Sequence, residues 1–411
     1  MRILLLTQVV PYPPDSGPKI KTYNVLRYLA QRHQVHIVSF VRSATEEVSA
    51  QALRTLCSGV TTVPLRRSRA LDVAHFSRSL VTCRPFLIER DDSTAMREAV
   101  NGLLRRHTFD AVHADQLPMA QFAVDLPVPL RVLDEHNAVW TIVRRSAGHE
   151  RWGPLRLLAE LEWRKLRAYE SEMCQRFDLV SVVSTEDCLA LIEAARAIFP
   201  VKVIPITVDT RELAFVPRSG DARHILSVAT MFYPPNAEGV YWFATEVFPL
   251  VRKQLGDVLF HIVGSRPPRQ IARLASPGSG IVVTGYLADL APVLRRGGVW
   301  VVPVRSGSGM RVKILEAFAR GIPVVSTGVG VEGIHADAGK HLLLADDAKG
   351  FARAVVRILT DPVEAARLAH AGRKLVEDYY DWRSALSPLD EIYPAASERR
   401  PSLAFSLGSV E

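Results

Sequence analysis

Short apolar runs, each closed by glycine, proline or a polar turn and each followed by a helical stretch, recur along nearly the whole chain. Arg2–Val9, Gln34–Val41, Val60–Leu65, Phe109–His113, Leu130–Leu133, Leu179–Val183 and Val201–Pro205 form one series. His224–Ala229, Val258–Val263, Gly280–Thr284, Val299–Val304, Pro323–Ser326 and His341–Leu344 form a second. Helical patterns between successive strands leave room for crossovers, so the rhythm predicts βαβ units and parallel sheets. The helices expected between them include Ile20–Arg32, Thr94–Arg106 capped by Ser93, one starting at Ser184 or Thr185, Ala237–Leu255 with Asn236 as its cap, Gly350–Leu359 and Pro362–Tyr379.

The two series are separated by DTRELAFVPRSGD, residues 209–221, which has turn residues and no periodicity. The chain of 411 residues therefore divides into two α/β halves. The expected organisation is an N-terminal Rossmann-like, doubly wound domain over 1–208, a linker over 209–222 and a second Rossmann-like domain over 223–362. C-terminal helices over 363–394 are expected to return to the first domain, and residues 395–411 read as a polar, disordered tail. A cleft between two such halves is a natural ligand site.

Composition excludes several classes. No apolar run nears the roughly 18 residues of a membrane span, and the start MRILLLTQVVPYPP is too short in its apolar core for a signal peptide. The four cysteines, Cys57, Cys83, Cys174 and Cys188, form no CxxC pair and no metal-spaced cluster. Free thiols and a cytoplasmic location follow, with no metal expected. The net charge of +8 suits anionic ligands or an anionic membrane surface, without a motif for nucleic acid. Residues 140–170 interleave arginines with Trp140, Trp152 and Trp163. This is either a solvated helix face with paired charges or a surface that holds the protein peripherally on the inner face of the membrane.

The stretch SGSGMRVKILE, Ser306–Glu316, carries the chemistry. It follows a buried strand and enters a helix. Glycine-loop N–H groups at a helix start favour an anion, Gly309 lets the backbone approach, and Arg311 and Lys313 add charge for a diphosphate. Glu316, one to two turns in, can accept the two hydroxyl hydrogens of a ribose. The same residues also fit a structural turn with exposed cations. A P-loop is excluded because GxxxxGK[ST] is absent, and so is the GxGxxG fingerprint of a nicotinamide enzyme after the first strand. DEHN, Asp134–Asn137, stands at a strand's C-terminal end, where ligands of open α/β sheets bind. His136 is the candidate there for a functional side chain, Asp134 and Glu135 for structural or acceptor-orienting ones.

Seven blocks, in order, resemble the retaining GT-B glycosyltransferases of family 4, the glycosyl transferases group 1. They are LLLTQVVPYPPDSG, VLDEHN, VIPITVD, MFYPPN, VGSRP, VTGYLADL and VPVRSGSGMRVKILEAFARGIPVVSTGVGVEGI. The likeness spans about residues 1–385 and looks nearest to sugar transferases of bacterial exopolysaccharide systems. It implies two Rossmann-like domains facing a cleft, the acceptor on the first and a UDP- or GDP-sugar on the second. It also implies transfer with retention to a glycan or lipid-linked acceptor and no required cofactor. By this resemblance Gly17 lies at the phosphates, and His136 faces the donor sugar. Gly285 and Tyr286 lie near the base. Ser308, Gly309, Met310, Arg311 and Lys313 lie at the diphosphate, Glu316 at the ribose and Glu332 at the sugar or capping its helix. His136, Arg311 and Lys313 are the expected catalytic residues.

The sequence departs from the pattern at four places, one of them the PNG turn before the linker, which reads Pro205, Ile206, Thr207. The first Glu of the E-x7-E motif falls at Ser308, the glycine before Gly17 is Ser16, and MFYPPN lacks the usual Arg and Lys. Arg311 and Lys313, or Lys19 or Lys21 from the first half, must then carry more of the phosphate charge. Two alternatives compete: a catalytically silent nucleotide-sugar-binding partner subunit and a GT-B nucleotide-sugar epimerase.

Overall fold

The structure is a computed structural model and describes residues 1–149, 153–217, 223–287, 289–307 and 309–394. The expected 395–411 tail, part of the expected linker, Trp152 and Ser308 lie outside these residues.

Two parallel sheets form, each flanked by helices. The first has the order β3-β2-β1-β4-β5-β6-β7. Its strands are β1 Arg2–Thr7, β2 Gln34–Val41, β3 Gly59–Pro64, β4 Ala111–Asp115, β5 Leu130–Glu135, β6 Leu179–Val182 and β7 Val201–Val203. The second has the order β10-β9-β8-β11-β12-β13. It consists of β8 His224–Val228, β9 Leu259–Val263, β10 Ile281–Gly285, β11 Gly297–Val302, β12 Val324–Ser326 and β13 Leu343–Leu344. The central strands are apolar on both faces because helices cover both, as in β1, where Ile3, Leu4, Leu5 and Leu6 are all buried.

Strand order fixes where a ligand can sit. Each sheet reverses its winding once, between β1 and β4 in the first and between β8 and β11 in the second. The crevice of a doubly wound sheet lies beyond the strand ends at that reversal. The loops that follow β1, β4 and β5 therefore face those that follow β8 and β11.

Several helices begin where a short polar side chain caps them. Ser93 accepts from the Met96 N–H and Ser184 from the Asp187 N–H. Asn236 does not cap. Pro234 and Pro235 start the Pro234–Trp242 helix, which puts Asn236 inside its first turn. The single helix expected over 237–255 is broken by a π-turn, Phe243–Val247, immediately before Pro249. Proline has no N–H to give an α-helical bond, and the wider turn absorbs that loss.

The C-terminal segment crosses back. After the Pro362–Tyr379 helix, the short helices Trp382–Ala385 and Pro388–Ile392 place Trp382, Leu386, Leu389, Ile392 and Tyr393 in one apolar cluster with Ile3, Leu5 and Val25. The two chain crossings touch: the Tyr380 carbonyl accepts from the Val208 N–H, and the Val208 carbonyl from the Trp382 N–H. Of the tryptophans in the 140–170 stretch, Trp140 and Trp163 are among the described residues. Trp140 is buried and packs on Trp163, with Arg144 over both rings, Arg164 over Trp163 and Arg167 over Trp140.

Candidate functional site

The second domain supplies a helix N-terminus. After β11, Gly307 and Gly309 adopt φ of 95° and 88°, which turns the chain into the Val312–Ala319 helix. Its N-cap is Arg311, which makes no side-chain cap, so the first N–H groups of the helix face the cleft with their positive end. Arg311 is buried and donates to the Gly309 carbonyl at 2.7 Å. Lys313 donates to Asn236 Oδ1 at 2.6 Å, and Asn236 in turn donates to the Thr230 carbonyl at 2.9 Å. That chain of contacts ties the loops after β8 and β11 together at the reversal point. Burial, and then the neighbouring Arg311, push the Lys313 ammonium down to about 7. Glu316, on the same helix, is raised by burial against the opposing pull of Arg320 and Lys313. Both shifts describe charged groups held without enough water, a state that an ionic ligand relieves.

The first domain closes over this helix. A Cβ on Gly17 would lie 3.5 Å from Val312 Cγ2, so the start of the Gly17–Ala30 helix faces the start of the Val312–Ala319 helix. A Cβ on Gly309 would lie 1.9 Å from Asn137 Oδ1. Only glycine lets the DEHN loop come this close. From the Val139–His149 helix, Arg145 reaches across to bind both carboxylate oxygens of Glu332 at 2.8 Å and the Gly307 carbonyl at 3.1 Å. Glu332 thus neither caps a helix start nor stands alone; it ends the short Gly328–Val331 helix and is held by the other domain. Gly285 has φ of 71° at the end of β10, and Tyr286 beside it is exposed. Met310 is buried.

Beneath the cleft lies a buried polar network. His136 is 4% exposed, and its Nε2 is 3.0 Å from Asp115 Oδ1. Asp115 also accepts from Thr22 Oγ1 at 2.9 and 3.0 Å. The pairing with a carboxylate puts the proton on Nε2 and leaves Nδ1 as a lone pair. That Nδ1 is buried and has no hydrogen-bond partner among the described residues. Next to Asp115, Gln116 takes φ of 72°, a strained value for a residue with a side chain. Lys21 binds Asp134 at 2.5 Å, and Ser181 donates to the same oxygen at 2.5 Å. Burial opposes ionisation of Asp134, yet Lys21, with the His113 ring nearby, holds its carboxyl well below the usual range. Lys21 is therefore a structural partner, not a cation turned to the cleft, and Lys19 pairs with Asp15 at 3.0 Å. His113, Asp115 and Asp134 lie within metal-ligand distance of one another. The ammonium of Lys21 already supplies the positive charge at Asp134, and Thr22 occupies Asp115.

Asp115 escaped the sequence reading. The signal was available: HADQ ends β4 as DEHN ends β5, at the same edge of the sheet. Glu135 is different. Both its oxygens are buried without a hydrogen-bond partner among the described residues. Burial, then the nearby Glu170 and Asp134, raise it well above the usual range, so it is neutral. Glu170 accepts the Val139 and Trp140 N–H groups at 2.7 and 3.0 Å and is pushed up by burial to about 8. The Glu170 carboxyl seats the helix that carries Arg145.

Residues 222–361 match the family described as glycosyl transferases group 1. The match spans the second domain. The chain has the GT-B architecture. It is 20% identical over 405 residues, 94% of this chain and 98% of the relative, to an uncharacterized 44.6 kDa protein in the cps region of Klebsiella pneumoniae. A GDP-mannose-dependent alpha-(1-6)-phosphatidylinositol monomannoside mannosyltransferase of Mycolicibacterium smegmatis is 31% identical over 166 residues, 37% of this chain and 44% of the relative. Among solved structures, Anabaena HepE in complex with UDP and glucose superimposes with a TM-score of 0.66 at 15% identity, covering 95% of this chain and 99% of that one. TarM gives a TM-score of 0.68 at 12% identity, covering 96% and 98%. The matched segment contains β8 to β13 and the Val312–Ala319 helix.

Proposed function

We propose that this glycosyltransferase transfers a sugar from a UDP- or GDP-sugar to a glycan or lipid-linked acceptor, with retention at the anomeric carbon, in the manner of family 4. The observation that carries the reading is the uncapped N-terminus of the Val312–Ala319 helix, with Arg311 and Lys313 beside it and Gly17 and Asn137 closing on it from the other domain. As the bond from C1 to the diphosphate oxygen breaks, negative charge grows on the diphosphate. The helix N–H groups, Arg311 and Lys313 stabilise that charge. Glu316 takes the ribose hydroxyls, Gly285 and Tyr286 border the base, and His136 faces the sugar.

Retention is supported by what the carboxylates are doing. Asp134 is bound by Lys21, and Asp115 by His136 and Thr22. Neither is available as a nucleophile or base. In this reading the departing diphosphate oxygen takes the proton of the incoming hydroxyl, with attack on the leaving-group face. The acceptor O–C1 bond forms there as the proton passes to the diphosphate. The likeness to a cps-region protein supports a place in capsule or exopolysaccharide synthesis.

The test is radiolabelled transfer from a panel of UDP- and GDP-sugars to glycan and lipid-linked acceptors, with the anomeric configuration read by NMR. Transfer with retention, lost in His136→Ala, is the expected result. An inverted product would make the His136 Nδ1 lone pair the base. Nucleotide binding without transfer from any donor would leave a silent binding subunit.

A further inference from the structure

A cavity of about 710 Å³ lies between the two domains, on the side where the chain crosses back. Its walls come from the ends of β6 and β7, the two short C-terminal helices, the 333–341 loop and the Pro362–Tyr379 helix. A cavity of this size buries a small ligand. Among the described residues it shares only Met310 with the donor stretch. A Cβ on Gly333 would lie 3.4 Å from Ser184 Cβ and 3.7 Å from Met310. The domains therefore touch at Gly333, and the cavity starts one residue beyond Glu332.

The apolar part of the lining includes Val183, Met310 and Leu375, all buried. Two buried polar side chains stand beside them with a hydrogen to give. His341 is 6% exposed, and its Nδ1 accepts the Asp337 N–H at 2.9 Å, so the ring proton sits on Nε2. Tyr380 is 3% exposed, and its hydroxyl oxygen accepts the His335 N–H at 2.9 Å. Neither the His341 Nε2–H nor the Tyr380 O–H has an acceptor among the described residues. Two exposed pairs complete the lining, Lys340 with Asp337 at 3.5 Å and Lys374 with Asp378 at 3.0 Å. Exposed pairs of this kind hold weakly against water, so the polar groups of a ligand can enter between their members.

We propose that this cavity binds a neutral sugar, or a short run of sugars, of the glycan acceptor. A sugar hydroxyl is donor and acceptor at once, and the ring's C–H face is apolar. The lining answers all three: Lys340, Lys374, His341 and Tyr380 donate, Asp337 and Asp378 accept, and Val183 and Leu375 meet the C–H face. Two ammoniums are matched by two carboxylates, which disfavours a ligand of either charge. Burial, and then Lys340, lower His341 and keep its ring neutral. The inference rests on the glycan form of the proposed acceptor and gives that glycan a holding site beyond the donor loop.

The full chain is titrated with methyl hexosides and hexose disaccharides, without nucleotide, by saturation-transfer NMR and calorimetry. At least one sugar should bind, with an affinity that changes less than about twofold between 0.05 and 0.5 M salt, as a neutral ligand requires. Ala371→Trp, on the Pro362–Tyr379 helix, fills the cavity and should weaken that binding on the order of tenfold or more. Lys374→Ala and Asp378→Ala should each weaken it about threefold, the loss of one hydrogen bond. Both positions are exposed, so melting temperature and UDP binding should stay unchanged in these two variants. Any of three outcomes overturns the proposal: no sugar of the panel binds, the three variants bind as the parent does, or binding falls with salt and strengthens in Asp378→Ala, which marks an anion. Because no donor is present, loss of sugar binding and absence of sugar transfer are separate results.

Discussion

Donor affinity should fall as pH rises above neutrality, because Lys313 holds its proton weakly until an anion arrives. Its ammonium sits at about 7 against an ordinary 10.5. A diphosphate at the helix N-terminus would return it to its ordinary range. Binding at pH 8 then takes up close to one proton, and affinity drops up to tenfold per pH unit. Between pH 7.5 and 9 this amounts to roughly a twentyfold weakening of UDP or GDP binding. The nucleotide's own terminal phosphate, with a second pKa near ~6, is already ionised across that window. Isothermal titration calorimetry in two buffers of different ionisation enthalpy reads both quantities. Lys313→Arg keeps a charge at every pH and should bind with flat affinity across the window. The sign carries into stability as well. Between 7 and 10.5 the unfolded chain holds the Lys313 proton and the folded chain does not, so this group makes the free protein more stable as pH climbs through that range. Affinity constant within threefold from pH 7.5 to 9, with no proton uptake, would refute the reasoning.

Other substitutions separate the roles of the remaining groups. Glu170, pushed up to about 8, binds its proton more tightly folded than unfolded, so its contribution is complete below about 4.5 and is lost as pH rises through 8. Glu170→Gln keeps an acceptor for one of the Val139 and Trp140 N–H groups, which bond to separate oxygens, and should gain stability relative to the parent by about 1–3 kcal/mol between pH 4.5 and pH 9 in urea melts. Gly309→Ala places a Cβ 1.9 Å from Asn137 Oδ1 at a φ of 88°. It should lower transfer by about a hundredfold while leaving the melting temperature within a few degrees, measured by steady-state kinetics and calorimetry. Arg145→Ala breaks a solvent-facing pair worth about 0–1 kcal/mol, so stability should barely change. Its donor KM should rise several-fold, because the tie across the cleft to Glu332 and Gly307 is gone.

The sheets were legible because parallel strands are buried on both faces. Gln34–Val41 and Pro362–Tyr379 lie where the apolar pattern puts them. The Arg69–Thr82 helix was not legible, since its apolar residues face outward and no inward stripe marks the period. Asn236 misled for a local reason. Two prolines before an asparagine look like a cap, but prolines are themselves good first residues of a helix and leave the asparagine inside it. The continuous stretch Gly309 to Glu316 could be read from spacing as a glycine turn entering a helix, which is where it lies. The pairs Arg145–Glu332, His136–Asp115 and Lys21–Asp134 join positions 187, 21 and 113 residues apart, and only the winding order of the sheets brings them together. Lys21 shows the limit most plainly. Sequence offered it as a spare cation for the phosphates, whereas Asp134 claims it inside the domain.

The return of the chain to its starting domain has a consequence for synthesis. The sheet made from residues 2–203 packs one face against Trp382, Leu386, Leu389, Ile392 and Tyr393, and the Tyr393 hydroxyl meets His113 Nδ1 at 2.8 Å. At the ribosome's pace, the stretch between the last strand of that sheet and Tyr393 takes roughly 10–40 s to appear. Through that interval the first domain waits with part of its core open and His113 lacking its partner. The second domain, whose sheet is complete by Leu344 and whose cores close with Phe351 to Tyr380, waits far less. The domain translated first is the one completed last.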